Sequence, residues 1–294
     1  MVAIYCQKEN EKQIMSIHVG VDLGGSKVRI VSSVRGQLVS EQSTSGPEFT
    51  PEMLSKRIEE YCAAQNIHPD SIGIAIPGLL QPPQIIQCDD LPNFSNTDGS
   101  TIGIPEVPTA LLNDVDAGLI DALTHLPSDA TCLLVMAGTT IGASVAINGK
   151  PFSGVSGFAG ELGYFPIIQD CESTRLDKVA GGRYIISKLG VSPEEITSGI
   201  LHGEQKYISA VNNAGQTLGR VISGVMSLIN PSHVVVGGGT LRFPGYFESM
   251  QNEIERTCLN PILKVCSITK AASGENVVAN GALLAGKAKM IVSI

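Results

Sequence analysis

Three apolar runs of this chain end in glycine-rich turns, and the first turn also carries an acid. Residues 20–30 read GVDLGGSKVRI, in which Asp22 interrupts a strand-like run and the pair Gly24-Gly25 follows it. Glycine has no side chain, so backbone N–H groups in such a turn can approach a bound phosphate closely. A carboxylate beside the turn suits magnesium, which prefers oxygen ligands and bridges phosphates. We therefore predict a phosphate-binding turn with Asp22 as a magnesium ligand, through water.

The first turn alone does not decide the function, because the same residues suit a β-hairpin with a surface acid. The order Gly25-Ser26-Lys27 is not that of a Walker A loop, in which Lys precedes Ser or Thr. Two further turns favour the nucleotide interpretation. Residues 136–149 (MAGTTIGASVAING) place two glycines around two threonines, and residues 234–240 (VVVGGGT) place three glycines after a strand-like run.

Composition excludes several other classes of protein. A formal net charge of −8 and the lack of a Lys/Arg-rich run argue against a nucleic-acid surface, which needs a basic field. Seven scattered cysteines without a CxxC pair are typical of reduced thiols in a cytoplasm. No apolar signal segment is visible near the N-terminus. Residues 130–149 are uncharged, but Gly and Thr interrupt them, so we predict two buried strands there and no membrane span.

Apolar periodicity predicts clustered strands followed by strands that alternate with helices. The predicted strands are 17–23, 27–34, 37–42, 71–78, 107–114, 132–138, 141–152 (with a turn at Asn148-Gly149), 233–239 and 263–268. Helices are predicted from about 51, over 115–125, 204–229 and 246–258, and from about 280. This order is typical of an α/β protein.

The similar glycine turns at 24–25 and 138–142 suggest that the chain contains two similar halves. We divide it into a leader (1–16), an N-terminal α/β lobe (17–112), a C-terminal α/β lobe (113–278) and a C-terminal helix (279–294) that packs back on the N-terminal lobe. At 294 residues, the chain is long enough for two such lobes.

Several motifs of the chain, in their sequence order, resemble those of the ROK (repressor, ORF, kinase) sugar kinases. They are GVDLGGSKVRI, GIAIPG, LPNF, LLNDVDAG, GTTIGASVAINGKPFSGVSGFAGELGY and NPSHVVVGGG. The resemblance runs from about residue 17 to the end and implies a two-lobed, ribonuclease H-like (actin/hexokinase-like ATPase) fold with a central cleft. It also implies magnesium-dependent transfer of the ATP γ-phosphoryl group to a hexose hydroxyl, usually at C6, and a homodimer. About sixteen residues precede the first predicted strand, so no DNA-binding domain and no nucleic-acid partner are expected.

The resemblance assigns the three glycine turns to ATP. Asp22 and the glycines beside it match the first phosphate motif, Gly138 and Thr139 match the second, and 237–239 match the turn on the adenosine side. The residues predicted to bind ATP and Mg²⁺ are Asp22, Gly24, Gly25, Ser26, Lys27, Gly138, Thr139, Thr140, Gly237, Gly238 and Gly239.

Asp114 is the predicted general base, because it matches the acid of the family's Asn-Asp motif. A carboxylate within hydrogen-bond reach of a sugar hydroxyl can take its proton during transfer. Asp114 lies at a strand end before a helix, where a substrate cleft forms in α/β proteins. The alternative is that Asp114 only caps the helix beginning at Val115. Asp116 is a competing acid, which helix geometry predicts to point elsewhere.

The resemblance also implies contacts to the sugar, and Asn93 and Glu161 match hydroxyl ligands of the family. The alternatives are a turn role for Asn93 and a solvated loop position for Glu161, although the glycines of AGELG favour a shaped loop. The predicted substrate-binding residues are Gly78, Asn93, Asn113, Glu161, Tyr164 and Asp177.

The chain departs from the family's pattern beside the expected sugar site. The family usually has His at the position of Tyr164 and then a CxCGxxGC cluster with a following Glu, which bind zinc. Here that stretch contains only Cys171, so we predict no zinc site. Asp177 replaces a sugar-binding Glu that is one methylene longer, and Thr140 replaces a glycine.

Two functions follow from these motifs. The first is phosphorylation of a hexose or N-acetylhexosamine. The alternative, which the departures motivate, is a catalytically weak or inactive sugar-binding sensor. An ATPase of the Hsp70/actin kind is disfavoured, because GELG and LPN loops suit a small ligand.

Overall fold

The fold is known from a computed structural model that describes residues 16–34, 37–169 and 171–292. The predicted leader lies outside the described residues, apart from its last position. The strands are β1 (His18–Leu23), β2 (Lys27–Val34), β3 (Gln37–Thr44), β4 (Ser71–Ile76), β5 (Leu79–Gln81), β6 (Gln84–Gln87), β7 (Thr97–Asp98), β8 (Thr109–Asn113), β9 (Cys132–Ala137), β10 (Ile141–Ile147), β11 (Lys150–Phe152), β12 (Pro166–Gln169), β13 (Glu172–Arg175), β14 (His233–Gly237) and β15 (Ser267–Lys270).

The helices of the described chain flank these strands. They are α1 (Pro51–Gln65), α2 (Asp114–Leu123), α3 (Asp177–Ala180), α4 (Gly182–Leu189), α5 (Pro193–Leu201), α6 (Gln205–Ile229), α7 (Tyr246–Thr257), α8 (Asn260–Leu263) and α9 (Val277–Val292). Local chemistry explains several ends. Thr50 accepts a hydrogen bond from the Met53 N–H ahead of α1, and Pro51 suits its first turn. Asn230 ends α6 in the left-handed conformation.

The two largest sheets have the same topology, which confirms the two similar halves. The order is β3-β2-β1-β4-β8 in one lobe and β11-β10-β9-β14-β15 in the other. In each, the first three strands along the chain form an antiparallel meander, and the two later strands are parallel to the first. This arrangement confirms the two-lobed ribonuclease H-like α/β fold. The carboxyl ends of the parallel strands carry the glycine turns and Asp114, and the first two turns and Asp114 meet in the central cleft.

Each lobe has its own hydrophobic core. One core lies between the N-terminal sheet and α1 and includes Val21, Ile58 and Ile74. The other lies between the C-terminal sheet, α6 and α7, and includes Leu218 and Tyr246. The predicted buried strands within 130–149 are β9 and β10. No helix in the described ranges combines the length and the apolar character needed to cross a bilayer.

The C-terminal helix α9 is pressed against the N-terminal sheet and α2 through glycines. A Cβ added to Gly20 of β1 would lie 2.0 Å from the Ala279 carbonyl oxygen, and one added to Gly73 of β4 would lie 1.7 Å from that of Ala282. On the other side of the helix, a Cβ on Gly281 would lie 1.7 Å from the Ala117 carbonyl oxygen of α2. The helix therefore touches both the sheet and the helix that carries Asp114.

Two predicted boundaries near the C-terminus are wrong. The strand expected over 263–268 is instead the short helix α8 followed by β15, which begins at Ser267. Pro261 lies in the first turn of α8, where proline favours a helix, and a short apolar run does not distinguish helix from strand. The last helix begins at Val277, earlier than predicted.

Candidate active site

A cavity of about 610 Å³ lies between the lobes, and residues from both lobes form its wall. Many predicted site residues contribute to it. They are Gly24, Gly25, Gly78, Asn113, Asp114, Gly138, Thr139, Thr140, Glu161, Tyr164 and Asp177. The volume is within the range of roughly 300–1,000 Å³ that is usual for small-molecule sites.

The first glycine turn joins β1 to β2 at the edge of this cavity. The Gly24 N–H donates to the Lys27 carbonyl oxygen at 2.8 Å, and the Ser45 hydroxyl donates to the Gly24 carbonyl oxygen at 2.6 Å. A Cβ on Gly25 would lie 2.7 Å from the Cβ of Asp90, so Asp90 covers the turn. Ser26 and the Lys27 side chain are exposed, and neither belongs to the cavity wall.

The second turn, 138–140, is held from behind by the start of α4. The Gly182 N–H donates to the Gly138 carbonyl oxygen at 2.8 Å, and the Arg183 N–H donates to that of Thr139 at 3.1 Å. The Thr240 hydroxyl also donates to the Gly138 carbonyl oxygen, at 2.8 Å. These contacts fix a backbone turn whose open side faces the cavity.

The third turn, 237–239, lies behind the second and is not part of the cavity wall. Gly238 has φ +101°, and a Cβ there would lie 2.4 Å from the Ala137 carbonyl oxygen. Only glycine fits this close approach to β9. The third turn therefore supports the second, and its predicted contact to adenosine stays a prediction.

Asp114 is the first residue of α2, and the cap of this helix is Asn113. The Asn113 Oδ1 accepts from the Val115 N–H at 2.8 Å, and the Asn113 amide donates to the Gly78 carbonyl oxygen at 2.8 Å. Asp114 Oδ1 accepts from the same N–H at 3.0 Å. Asn113 thus ties the Gly78 loop to α2, and Asp114 projects at the helix N-terminus into the cavity wall.

The pKa values of Asp22 and Asp114 are raised because these acids are withdrawn from water and lie near other acids. Burial raises the pKa of Asp114 to about 6, and the Asp116 and Glu161 carboxylates add to the effect. Burial and the Asp114 carboxylate raise the pKa of Asp22 to about 7, against the opposing charge of Arg29. Asp22 lies near the end of β1 and Asp114 follows β8, so both acids are at the carboxyl end of the N-terminal sheet.

Asp22 is not part of the cavity wall, and its proposed role as a magnesium ligand stays a prediction. Within the described residues, no group of three or more His, Cys, Asp or Glu side chains is arranged to hold a metal ion. Magnesium bound with nucleotide phosphates needs only one or two protein carboxylates and keeps several waters. A cation near Asp22 would also oppose the effects of burial and of the Asp114 carboxylate, which raise the Asp22 pKa.

Asp116 was expected to point away from the cavity, and this expectation is wrong. Asp116 is part of the wall, and its Oδ1 accepts from the Ser144 hydroxyl at 2.6 Å. The first turn of α2 opens onto the cavity, and Ser144 of β10 holds the carboxylate there. Burial raises the pKa of Asp116, while the Ser144 hydrogen bond opposes this rise.

Glu161 lies in a loop whose shape depends on its glycines. Gly160 has φ +101°, and a Cβ there would lie 2.0 Å from the Ala143 carbonyl oxygen. A Cβ on Gly163 would lie 2.3 Å from that of Ile141. The loop is thus packed directly on β10. Partial burial and the Asp116 carboxylate raise the pKa of Glu161.

Tyr164 and Asp177 are joined by Arg175, a residue that the sequence analysis missed. The Arg175 guanidinium lies 4.2 Å from the centre of the Tyr164 ring, and its Nη2 lies 3.1 Å from Asp177 Oδ2. The other Asp177 oxygen is buried without a hydrogen-bond partner. Cys171 is exposed. This cluster occupies the stretch where the family's pattern has its zinc ligands, and the lack of zinc stays a prediction.

Asn93 is not brought to the cavity. Its amide donates to the Pro47 and Phe49 carbonyl oxygens at 3.3 and 3.4 Å, so it braces the loop before α1. This geometry matches the alternative interpretation, in which Asn93 has a role in a turn. Asp90, in the loop before Asn93, belongs to the wall instead and pairs with Arg183 across the cleft.

The sequence profile of the ROK family matches residues 18–288. The chain belongs to the ROK family. Its similarity to characterised ROK proteins extends over most of its length but is low in identity. It is 22% identical to an N-acetyl-D-glucosamine kinase of Yersinia enterocolitica over 309 aligned positions, which cover 88% of this chain and 95% of that one.

Other similar proteins include both regulators and kinases. A xylose repressor of Bacillus subtilis is 24% identical over 90% of this chain and 75% of its own. The crystal structure of a ROK family glucokinase from Streptomyces griseus, in complex with glucose and AMPPNP, superposes with a TM-score of 0.78 at 17% identity over 93% of this chain and 100% of that chain. The fold is thus shared by proteins of different function, and the site must decide between them.

Proposed function

We propose that this ROK protein transfers the γ-phosphoryl group of ATP to a hydroxyl of a hexose or N-acetylhexosamine, at C6, with Asp114 as general base. One observation carries the proposal. The Asp114 carboxylate shares one cavity wall with the glycine turns at 24–25 and 138–140, which come from opposite lobes. The similarity to an N-acetyl-D-glucosamine kinase and to a glucokinase fold supports the reaction class.

Asp114 has the protonation state that a base needs at neutral pH. With a pKa of about 6, it is ionised at pH 7.5 and still basic enough to accept a proton. In the proposed step, the sugar hydroxyl loses its proton to Asp114 as its oxygen bonds to the γ-phosphorus. The bond from phosphorus to the β–γ bridging oxygen breaks, and ADP leaves.

The phosphates of ATP would be held by backbone N–H groups of the two glycine turns other than those of Gly24 and Gly138, which donate within the turns. Gly24 and Gly25 lie on one side of the cavity, and the turn at 138–140 lies on the other. Asp22 would hold magnesium through water, which would neutralise charge on the transferred group. Closure of the lobes around both substrates would exclude water and limit wasteful hydrolysis.

The sugar would lie between α2 and the Glu161 loop. Glu161 offers carboxylate oxygens to sugar hydroxyls, whereas Asp177 would have to release Arg175 to do the same. The Tyr164 ring offers the face that Arg175 does not cover. Asn113 keeps its place as a proposed ligand through the free acceptor capacity of its Oδ1. Asn93 is not included, because its amide braces a loop outside the cavity.

A coupled ADP-release assay over a panel of sugars tests this function. The panel contains glucose, mannose, fructose, allose, N-acetylglucosamine and N-acetylmannosamine. We expect ADP release that depends on one or more of these sugars and on Mg²⁺, with reactions lacking sugar or containing EDTA as controls. The proposal fails if none of the sugars increases ADP release.

A sugar-binding sensor is the second candidate, and one observation favours it. Asp177 is already paired with Arg175, which leaves one carboxylate fewer for the hydroxyls of a sugar. A sensor would show sugar-induced thermal stabilisation without sugar-dependent ADP. For either function we propose a cytoplasmic homodimer, which light scattering on the purified protein tests.

A further inference from the structure

An ion pair joins the two lobes at the phosphate end of the cavity. Arg183 Nη2 lies 2.6 Å from Asp90 Oδ1, and both residues belong to the cavity wall. Asp90 covers Gly25 of the first turn, and the Arg183 backbone N–H donates a hydrogen bond to the Thr139 carbonyl oxygen of the second turn. The pair therefore spans the space between the two phosphate turns.

Arg183 is one of few positive charges in an acidic cavity wall, and its contacts to Thr139 and Asp90 place it between the two phosphate turns. In the described wall, the acids Asp89, Asp90, Asp114, Asp116, Glu161 and Asp177 face three basic residues, Arg175, Lys178 and Arg183. Arg175 is engaged on the sugar side with Tyr164 and Asp177. Lys27, beside the first turn, does not reach the wall. A polyanion entering this acidic cavity needs a nearby positive charge.

The pair is built so that a phosphate can replace the carboxylate. The side chains of Arg183 and Asp90 are 53% and 31% exposed, so water screens their attraction and the pair holds only weakly. A guanidinium binds phosphate oxygens through two parallel N–H donors, and a polyphosphate carries more charge than one carboxylate.

We propose that Arg183 is a ligand of the terminal phosphates of the nucleotide, and that Asp90 holds it across the cleft until the polyphosphate displaces the carboxylate. This inference rests on the proposed nucleotide site but not on any sugar. Asp90 occupies the guanidinium only while no nucleotide is bound, and it competes with phosphate for the same N–H donors. Its loss releases the arginine, whereas the loss of Arg183 removes a phosphate contact.

Opposite effects of two substitutions test the proposal. Calorimetry with Mg²⁺-AMPPNP, without sugar, should show that Arg183→Gln weakens binding about tenfold or more, as expected for a lost charge-assisted hydrogen bond. Asp90→Asn should leave binding unchanged or strengthen it. Adenosine, which lacks phosphates, should bind Arg183→Gln and wild type equally, and this equality also shows that the variant is folded.

Arg220→Gln is the matched control. Arg220 is 56% exposed and paired with Glu253 of α7, away from the cavity wall, so its loss removes the same charge without affecting AMPPNP binding. If Arg183→Gln and Asp90→Asn weaken AMPPNP binding equally, the inference is wrong, because that result is expected when the ion pair only holds the lobes together. Unchanged binding by Arg183→Gln would also overturn it.

The failure of the inference and of the proposed function can be told apart. If wild type binds AMPPNP but phosphorylates no sugar, the proposed kinase function is wrong, and the Arg183→Gln binding result still tests the phosphate contact. A wild-type protein that binds no AMPPNP removes both.

Discussion

The contact between α9 and the N-terminal sheet is close enough to be tested with a single methyl group. In Gly73→Ala, the new Cβ would lie 1.7 Å from the Ala282 carbonyl oxygen and 2.4 Å from its carbonyl carbon. A normal contact is about 3.5 Å, so α9 would have to retreat by about 2 Å. Both obstructing atoms are backbone, and no side-chain rotation relieves the clash. We expect the free energy of unfolding to fall by about 2–3 kcal/mol, the upper part of the range for overpacking.

Urea denaturation followed by circular dichroism at 222 nm measures this loss, since the chain has no Trp for fluorescence. A two-lobed protein need not unfold in one step, so the comparison uses transition midpoints of variants with the same slope. Gly224→Ala in α6 is the matched control. No atom lies within 4 Å of its added Cβ, and better helix propensity should raise stability by about 1 kcal/mol. A wild-type midpoint for Gly73→Ala would refute the packing of α9 on β4.

Three further predictions concern the acids and the sugar loop. Because Asp114 must be ionised to act as a base, kcat/KM should fall as the pH drops below about 6. Asp116→Asn removes a charge that raises the Asp114 pKa, so this fall in kcat/KM should begin at a lower pH. A pH profile equal to that of wild type would exclude an effect of Asp116 on the Asp114 pKa. Folding raises the Asp22 pKa from 3.8 to about 7, so the folded state keeps a proton that the unfolded chain releases, and stability decreases as pH rises between these values. Asp22→Asn should therefore be more stable than wild type at pH 8, by up to about 4 kcal/mol, with the difference vanishing near pH 4; a difference independent of pH would contradict this. Gly160 has φ +101°, and a Cβ there would lie 2.0 Å from the Ala143 carbonyl oxygen, so Gly160→Ala should distort the Glu161 loop. Calorimetry with each ligand should show weaker sugar binding and unchanged AMPPNP binding. Unchanged sugar binding would mean that the loop does not contact sugar.

Features set by local sequence could be predicted. The apolar spacing of α6, and the Asn230 that ends it, define that helix almost to the residue. The hairpin of β9 and β10 follows from two apolar runs around a glycine turn. In contrast, the short helices α3 to α5 have too few turns for a clear periodic face, and the small sheets depend on pairing partners that the local sequence does not reveal.

The candidate site divides in the same way. The glycine turns and the strand-end position of Asp114 are local features, and the structure brings Asp114 and two of the three turns to one cavity. The Asp90–Arg183 pair joins residues 93 positions apart, and the stacking of Arg175 on Tyr164 depends on how β13 folds back. Asn93 matches a motif by position, yet its amide donates to the Pro47 and Phe49 carbonyl oxygens of the neighbouring loop. Tertiary contacts of this kind cannot be read from motif order.

The central claim is that Asp114 removes a proton from an alcohol held in the cleft between the lobes. The most direct test measures two quantities for Asp114→Asn, with the sugar that wild type phosphorylates best: the turnover number, and the sugar affinity by calorimetry. We expect kcat to fall by roughly 10²–10⁴-fold while the sugar Kd stays near the wild-type value. A variant that phosphorylates at the wild-type rate would show that this carboxylate is not the base.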